Sequence, residues 1–418
     1  MSKNNFFKTL EKELERIEGA KTAKRYEKVI EGFTKDDGPR AIIGGKNYRV
    51  FNSNDYLGLR FHSELKEGEK EATEKYGAGP GAVRFISGTF SLYRELEQAI
   101  ARFHGREDAI IFSSAFAANI GVIASLGKGQ SKDSYISSET LIVSDELNHR
   151  SIIEGIRVLN FSKEQRQIYK HRDYQDLERI LEENQEKFKR VMVITDGVFS
   201  MIGAYADLKE INKAIHKYDG KYEEGIMLVV DDSHGVGVFG EKGRGVEEVS
   251  GAKSDVLVAT FGKAFGSDGG YAAGDKVVID YLRESAATYI YSNPVSPGVA
   301  GASLYSVNLM LGDEGKKLLD KLKDNLALFK ELIKKANLEF AADSIHPIQP
   351  VLTGDPVKSK LLTGRLFAEG ILVTSINYPI VPKGRDEIRV QINASHSRED
   401  IRVFTDKLST VSREIGII

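Results

Sequence analysis

Cysteine is absent from the 418 residues, and so is tryptophan. The first absence excludes disulfides, thiolate nucleophiles and cysteine–zinc centres. No charge of one sign dominates, since the formal net charge is −2. A nucleic acid or an anionic membrane would find no electrostatic footprint, so neither is expected as a partner. No apolar run approaches the ~18 residues that a membrane span needs. The opening stretch, MSKNNFFKTLEKELERIEGAK, is charged, reads as helical and lacks the apolar centre of a secretory leader. A cytoplasmic setting is expected. The eight histidines include no H-x-x-x-H pair, and nothing supports a metal site.

What is present is alternation. Short, almost wholly apolar runs recur at DAIIFSS (108–114), TLIVSD (140–145), VMVITDG (191–197), IMLVVDD (226–232) and DVLVAT (255–260). Amphipathic helical stretches such as 176–190 and 207–222 separate most of them. Strands buried on both faces read this way, so the pattern predicts an α/β fold with a doubly wound, mostly parallel sheet. Residues 1–50 are expected to form a helical arm (5–31) and a strand segment. Residues 51–290 would be the large domain, and 291–418 a smaller α+β domain. The polar stretch GKGQSKDSYISSET (127–140) reads as a surface insertion.

Several of these strands end in polar residues. Asp145, Asn148 and His149 follow one; Asp196 and Ser200 follow another. Asp231, Asp232 and His234 follow a third, and Thr260 and Lys263 a fourth. Ligands of open α/β sheets bind outside the carboxyl ends of the strands, so these groups should converge on one crevice. Lys263 also sits among glycines, in VATFGKAFGSDGGYAAG, where close approach of a ligand or backbone is possible. A lysine, a carboxylate and two imidazoles suit a pyridoxal cofactor held as a Schiff base. A GVGVFG run (235–240) fits a dinucleotide fingerprint in letters. It fails in context, because DDSH intervenes after the strand and EKGRG stands where a helix should start.

The motifs SDELNHRSII, TDGVFSM, VDDSHGVGVFGEKGRG and TFGKAFGSDGGY, with FNSNDYLGL before and YPIVPKGRDEIRVQINASHS after, resemble the α-oxoamine synthase family. The resemblance runs from about residue 5 to residue 415, in the family's motif order. It implies a pyridoxal phosphate enzyme of fold type I that joins an amino acid to an acyl-CoA. Lys263 matches the lysine that takes the cofactor's aldehyde and later moves the Cα proton. Asp231 matches the partner of the pyridine nitrogen, and His149 the imidazole stacked on the ring. His234 and Ser200 match groups near the phenolic oxygen. The N–H groups of Ala115 and Phe116, at a helix start, and the Thr260 hydroxyl would hold the phosphate. Ser292 resembles a residue contributed by the neighbouring subunit, which implies a homodimer with shared active sites. Arg389 matches the substrate-carboxylate arginine, whose planar fork suits that group, and Asn54 a second carboxylate contact. Each residue alone has a plainer reading: a surface lysine, a capping aspartate, a structural histidine, an exposed arginine. Retention of all of them in order sets those readings aside, along with that of an inactive scaffold.

Within the family the N-terminal arm, VRFISGTF and YPIVPKG look most like the glycine C-acetyltransferases (2-amino-3-oxobutyrate CoA ligases). Phe85, where succinyl-using relatives carry a polar residue, suits a short or apolar acyl chain. Glycine and acetyl-CoA are the substrates this implies. The loop after Lys263 departs from that pattern: it has the length found in aminolevulinate and 8-amino-7-oxononanoate synthases. The alternatives are an 8-amino-7-oxononanoate synthase or a serine palmitoyltransferase-like member.

Overall fold

The computed structural model describes residues 2–19, 23–34, 38–378 and 380–418. Its centre is a seven-stranded sheet. In chain order the strands are β1 (Asp108–Phe112), β2 (Thr140–Asp145), β3 (Arg166–Tyr169), β4 (Arg190–Asp196), β5 (Ile226–Asp231), β6 (Val256–Thr260) and β7 (Gly270–Gly274). Across the sheet they run β1-β7-β6-β5-β4-β2-β3. All pairings are parallel except the two made by β7, which lies antiparallel between β1 and β6. Leu141, Ile142 and Val143, and likewise Leu257, Val258 and Ala259, are wholly buried. Side chains that alternate between two covered faces must be apolar on both, and that is why these runs show no polar alternation.

Two strands escaped the sequence reading. β3 is an edge strand with exposed and half-buried positions, and so carries no apolar run. β7 reads GYAAG, and its glycine is structural. A Cβ on Gly270 would lie 2.1 Å from the Ala115 nitrogen. The missing side chain lets the sheet press against the start of the helix Ala115–Gly127.

The helical arm is shorter than expected. The helix covers Ser2–Gly19; residues 20–22 lie outside the described residues, and 23–31 are not helical. There the chain runs out towards a sheet edge. Glu31 N–H donates to Ile42 O, and its carboxylate receives the N–H groups of Gly44 and Gly45. The helix expected over 176–190 likewise covers only Tyr174–Glu183. Asn184 caps it through Nδ2 to Ile180 O, and the remaining residues turn back into β4. The 127–140 stretch folds as bends closed by Gly129 N–H to Ile136 O, with Tyr135 fully exposed.

Two smaller sheets flank the large one. Gly32–Thr34, Arg40–Ile43 and Lys46–Val50 pair in sequence, and Ile371–Leu372 joins them from the C-terminal part. In the other, Glu387–Gln391 lies between Ile348–Leu352 and Thr374–Ile376. The helix Pro297–Leu311 packs on Ser63–Tyr76, and a Cβ on Gly301 would meet Gly68 O at 2.2 Å. No helix among the described residues is long and apolar enough to cross a membrane.

Candidate active site

The carboxyl ends of five strands, β1, β2, β4, β5 and β6, supply a cavity of about 230 Å³. After β1 come Ser114, Ala115 and Phe116; after β2, His149 and Ser151; after β4, Val198 and Ser200. Asp231, Ser233 and His234 line it from β5, and Thr260 and Lys263 from β6, with Asp196 from β4. Hollows of about 680 and 850 Å³ lie elsewhere, but neither is lined by an imidazole.

Lys263 is enclosed beside Asp231, Asp196 and Arg389. Burial lowers its ammonium from 10.5 to about 8, against the pull of Asp231 and Asp196. Asp231 is buried and held rigidly. Its Oδ2 accepts from Asn119 Nδ2 at 2.6 Å and its Oδ1 from Ser233 N at 3.0 Å. Asn119 also donates to Ser151 Oγ at 2.9 Å, and that hydroxyl lies 2.7 Å from His149 Nδ1. A single chain of bonds thus links the strand-end carboxylate to the ring at the cavity mouth. The His149 side chain itself stays exposed, its ring edge-on to Phe116 at 6.4 Å. Enclosure of the imidazole still lowers its affinity for a proton.

Asp196 stands in register with Asp231 on the next strand. Burial, then the Asp231 charge, push its carboxyl well above the usual range. His234, also buried, is held well below the ordinary imidazole value by desolvation and the nearby cations. Its Nδ1 is 2.9 Å from the Tyr56 hydroxyl.

The helix after β1 is capped by its own residue. Ser114 Oγ accepts from Ala117 N, and Ser114 O from Ala118 N. Ala115 and Phe116 themselves line the cavity at the positive end of the helix. Thr260 Oγ1 gives its proton to Gly269 O at 2.8 Å and accepts from Gly262 N, so it serves the lysine loop as well as the cavity.

Arg389 lies on the central strand of its sheet, not at an edge. It crosses to the cavity rim, where Nε donates to Ser200 O at 2.7 Å. Two residues along, Gln391 Nε2 donates to Asn54 Oδ1 at 2.8 Å. Phe85 and Ser292 do not reach this cavity within the chain. Arg84, buried on Glu97 at 3.1 Å, fixes its loop with Phe85 and Ile86 each 66% exposed. Among the described residues, Ser292 Oγ meets only the carbonyl of Asn293, at 3.4 Å.

A family model described as aminotransferase class I and II matches residues 46–408. The chain belongs to this family. It is a pyridoxal-phosphate-dependent α-oxoamine synthase, a C-acyltransferase, of fold type I. The enzyme is 42% identical to an 8-amino-7-oxononanoate synthase of Thermosipho melanesiensis, over 90% of this chain and 91% of the relative. It is 38% identical to one of Thermoanaerobacter pseudethanolicus, over 97% of both chains. A serine palmitoyltransferase structure with a pyridoxal phosphate internal aldimine superposes with a TM-score of 0.87, at 26% identity, over 99% of both chains. Another, from Sphingomonas wittichii, gives 0.87 at 26% identity over 99% and 98%. The expected likeness to glycine C-acetyltransferases is not what these relatives carry in their names. The loop length after Lys263 agrees with the names of these relatives, whereas the acetyl reading drawn from Phe85 does not.

The cavity fits the cofactor on its own chemistry. Asp196 Oδ1 and Ser233 Oγ are buried there without a partner among the described residues. Polar atoms left so in a folded chain await a polar ligand. A fixed carboxylate, an amine of lowered basicity and a helix start lie around the same space, as a protonated ring nitrogen, an aldehyde and a phosphate require.

Proposed function

We propose that the enzyme makes 8-amino-7-oxononanoate from alanine and a seven-carbon dicarboxylic acyl thioester. The observation that carries this is the pair of relatives of that name, which match nearly the whole chain at 42% and 38% identity. The substrates follow from the product's name. Carbons 8 and 9, with the amino group, are the Cα and methyl of alanine. Carbons 1 to 7 are an acyl chain ending in a carboxylate. Joining them forms the C7–C8 bond, expels the thiol and releases the carboxylate of alanine as carbon dioxide.

When bound, pyridoxal phosphate supplies an aldehyde for amines and a ring that draws electrons from Cα. The chain's residues do the rest. Asp231, fixed by Asn119 and Ser233, holds the proton on the ring nitrogen. His149 would cover the ring and shield it from water. Ala115 and Phe116 would bind the phosphate, with the Thr260 hydroxyl turning from Gly269 O to join them, and Ser200 and His234 would serve the phenolic oxygen. Arg389 would take the amino acid's carboxylate in its fork, with Asn54 beside it, and so orient the amino acid for loss of its Cα proton. Lys263, whose amine is neutral more often than an ordinary lysine's, removes the Cα proton. We also infer a homodimer with shared sites. Exposed Phe85, Ile86, Phe116 and Tyr291 would be covered by the second subunit, which would bring Ser292 to its partner's phosphate.

The test is thiol release with alanine, glycine and serine, each against seven-carbon dicarboxylic, acetyl and palmitoyl thioesters. Alanine with the dicarboxylic thioester should be the best pair by kcat/KM. Preference for glycine with the acetyl thioester, or for serine with the palmitoyl thioester, would overturn the assignment.

A further inference from the structure

Tyr56 is wholly buried beside the site, and the roles above leave it unused. Its hydroxyl lies 2.9 Å from His234 Nδ1 and 3.3 Å from Asn54 Oδ1, and the Arg389 guanidinium is near enough to act on it electrostatically. A phenol has one proton and can accept through oxygen, whereas a guanidinium can only donate. Arg389 therefore offers the hydroxyl proton no acceptor. The proton then has two acceptors to choose between. Asn54 Oδ1 is the farther and already receives Gln391 Nε2. The proton goes to His234 Nδ1.

That fixes the imidazole. A neutral ring that accepts at Nδ1 carries its hydrogen on Nε2. Burial, and then the charges of Lys263 and Arg389, disfavour a second proton on His234. The backbone of His234 is pinned as well. His346 Nδ1 accepts from Ile348 N at 3.0 Å, so its Nε2–H donates to His234 O at 2.8 Å.

We propose that Tyr56 is a positioning residue joining the two halves of the site: it stands beside Arg389, donates to His234 Nδ1, and so makes His234 present Nε2–H to the cofactor. The inference rests on the assignment of Arg389 to the amino acid's carboxylate and of His234 to the cofactor. Tyr56 thereby keeps the guanidinium that takes the carboxylate and the imidazole that meets the cofactor in one fixed relation.

The experiment compares the holoenzyme with Tyr56→Phe, which keeps the ring and removes one oxygen. The pH midpoint of the cofactor's visible absorbance should move by about one unit, because the donor near its oxygen is no longer fixed. The dissociation constant for alanine, read from the same spectrum, should rise about tenfold or more. In a His234→Gln background, Tyr56→Phe should no longer move the midpoint. Unchanged midpoint and affinity in Tyr56→Phe would overturn the inference. So would lower thermal stability with both values unmoved, which is what a packing role predicts. A second measurement does not depend on how the variant folds: the 15N resonances of His234 in the unaltered protein, assigned by their loss in His234→Gln. Nδ1 should be unprotonated and Nε2 protonated; the reverse tautomer would overturn the proposal. If alanine, glycine and serine all leave the native spectrum untouched, the functional reading fails instead, and the midpoint and the tautomer still decide Tyr56.

Discussion

The lowered basicity of Lys263 can be read directly as a rate. At its ordinary value of 10.5, about one lysine in 3,000 is a neutral amine at pH 7; at about 8 the fraction is about one in 11. Only the neutral amine attacks an aldehyde, so capture of pyridoxal phosphate by the apoprotein should be about 300-fold faster at pH 7 than for an exposed lysine of equal access. The rate should climb about tenfold per pH unit up to about 8 and then level off. Burial is the first cause of the shift, and the Asp231 charge opposes it. Asp231→Asn removes that opposition, so its plateau should begin below the native one. Stopped-flow mixing over pH 6–11 (about 0.5-unit steps) with borohydride trapping and peptide mapping reads both curves at Lys263. A native rate still rising tenfold per unit at about pH 10 would refute the argument from burial. A variant midpoint above the native one would refute the role of the charge.

Three further outcomes follow from the same geometry. Lys263→Ala should retain pyridoxal phosphate noncovalently, by ultrafiltration and mass, while turnover falls by several orders of magnitude; near-normal turnover would remove Lys263 from the reaction. Gly245→Ala should lower stability by about 1–3 kcal/mol in denaturant titration, because φ there is +89° and a Cβ would lie 1.9 Å from Asp232 Oδ2; a neutral effect would mean the loop carrying His234 is not held this tightly. Refolding a mixture of Lys263→Ala with a bulky substitution at Ser292 should restore up to one working site per heterodimer. Heterodimers that form without regaining activity would leave Ser292 outside its partner's site.

The central strands could be read from the sequence because burial on both faces demands unbroken apolar runs, as in LIV at 141–143. Their ends could be read because polar residues follow each run, and the strands share one direction. β7 could not, since GYAAG owes its place to the closeness of Ala115, which no local pattern records. The supports of the site were equally hidden. Asn119 meets Asp231 across 112 residues, and Tyr56 meets His234 across 178. An asparagine in an apolar helix and a tyrosine after an aspartate look like ordinary residues until folding aims them. Phe85 could not be placed for a related reason: its position in a motif said nothing of the Arg84–Glu97 pair that fixes its loop, where Phe85 is exposed in its own chain.

Carboxyl-labelled alanine tests the central claim most directly. The enzyme is incubated with [1-13C]alanine and the seven-carbon dicarboxylic acyl thioester, and both the gas and the amino ketone are analysed by mass. The account predicts one labelled carbon dioxide per thiol released, and a nine-carbon amino keto acid that carries no label. A product that keeps the label, or thiol release only when glycine and the acetyl thioester are supplied, would contradict it.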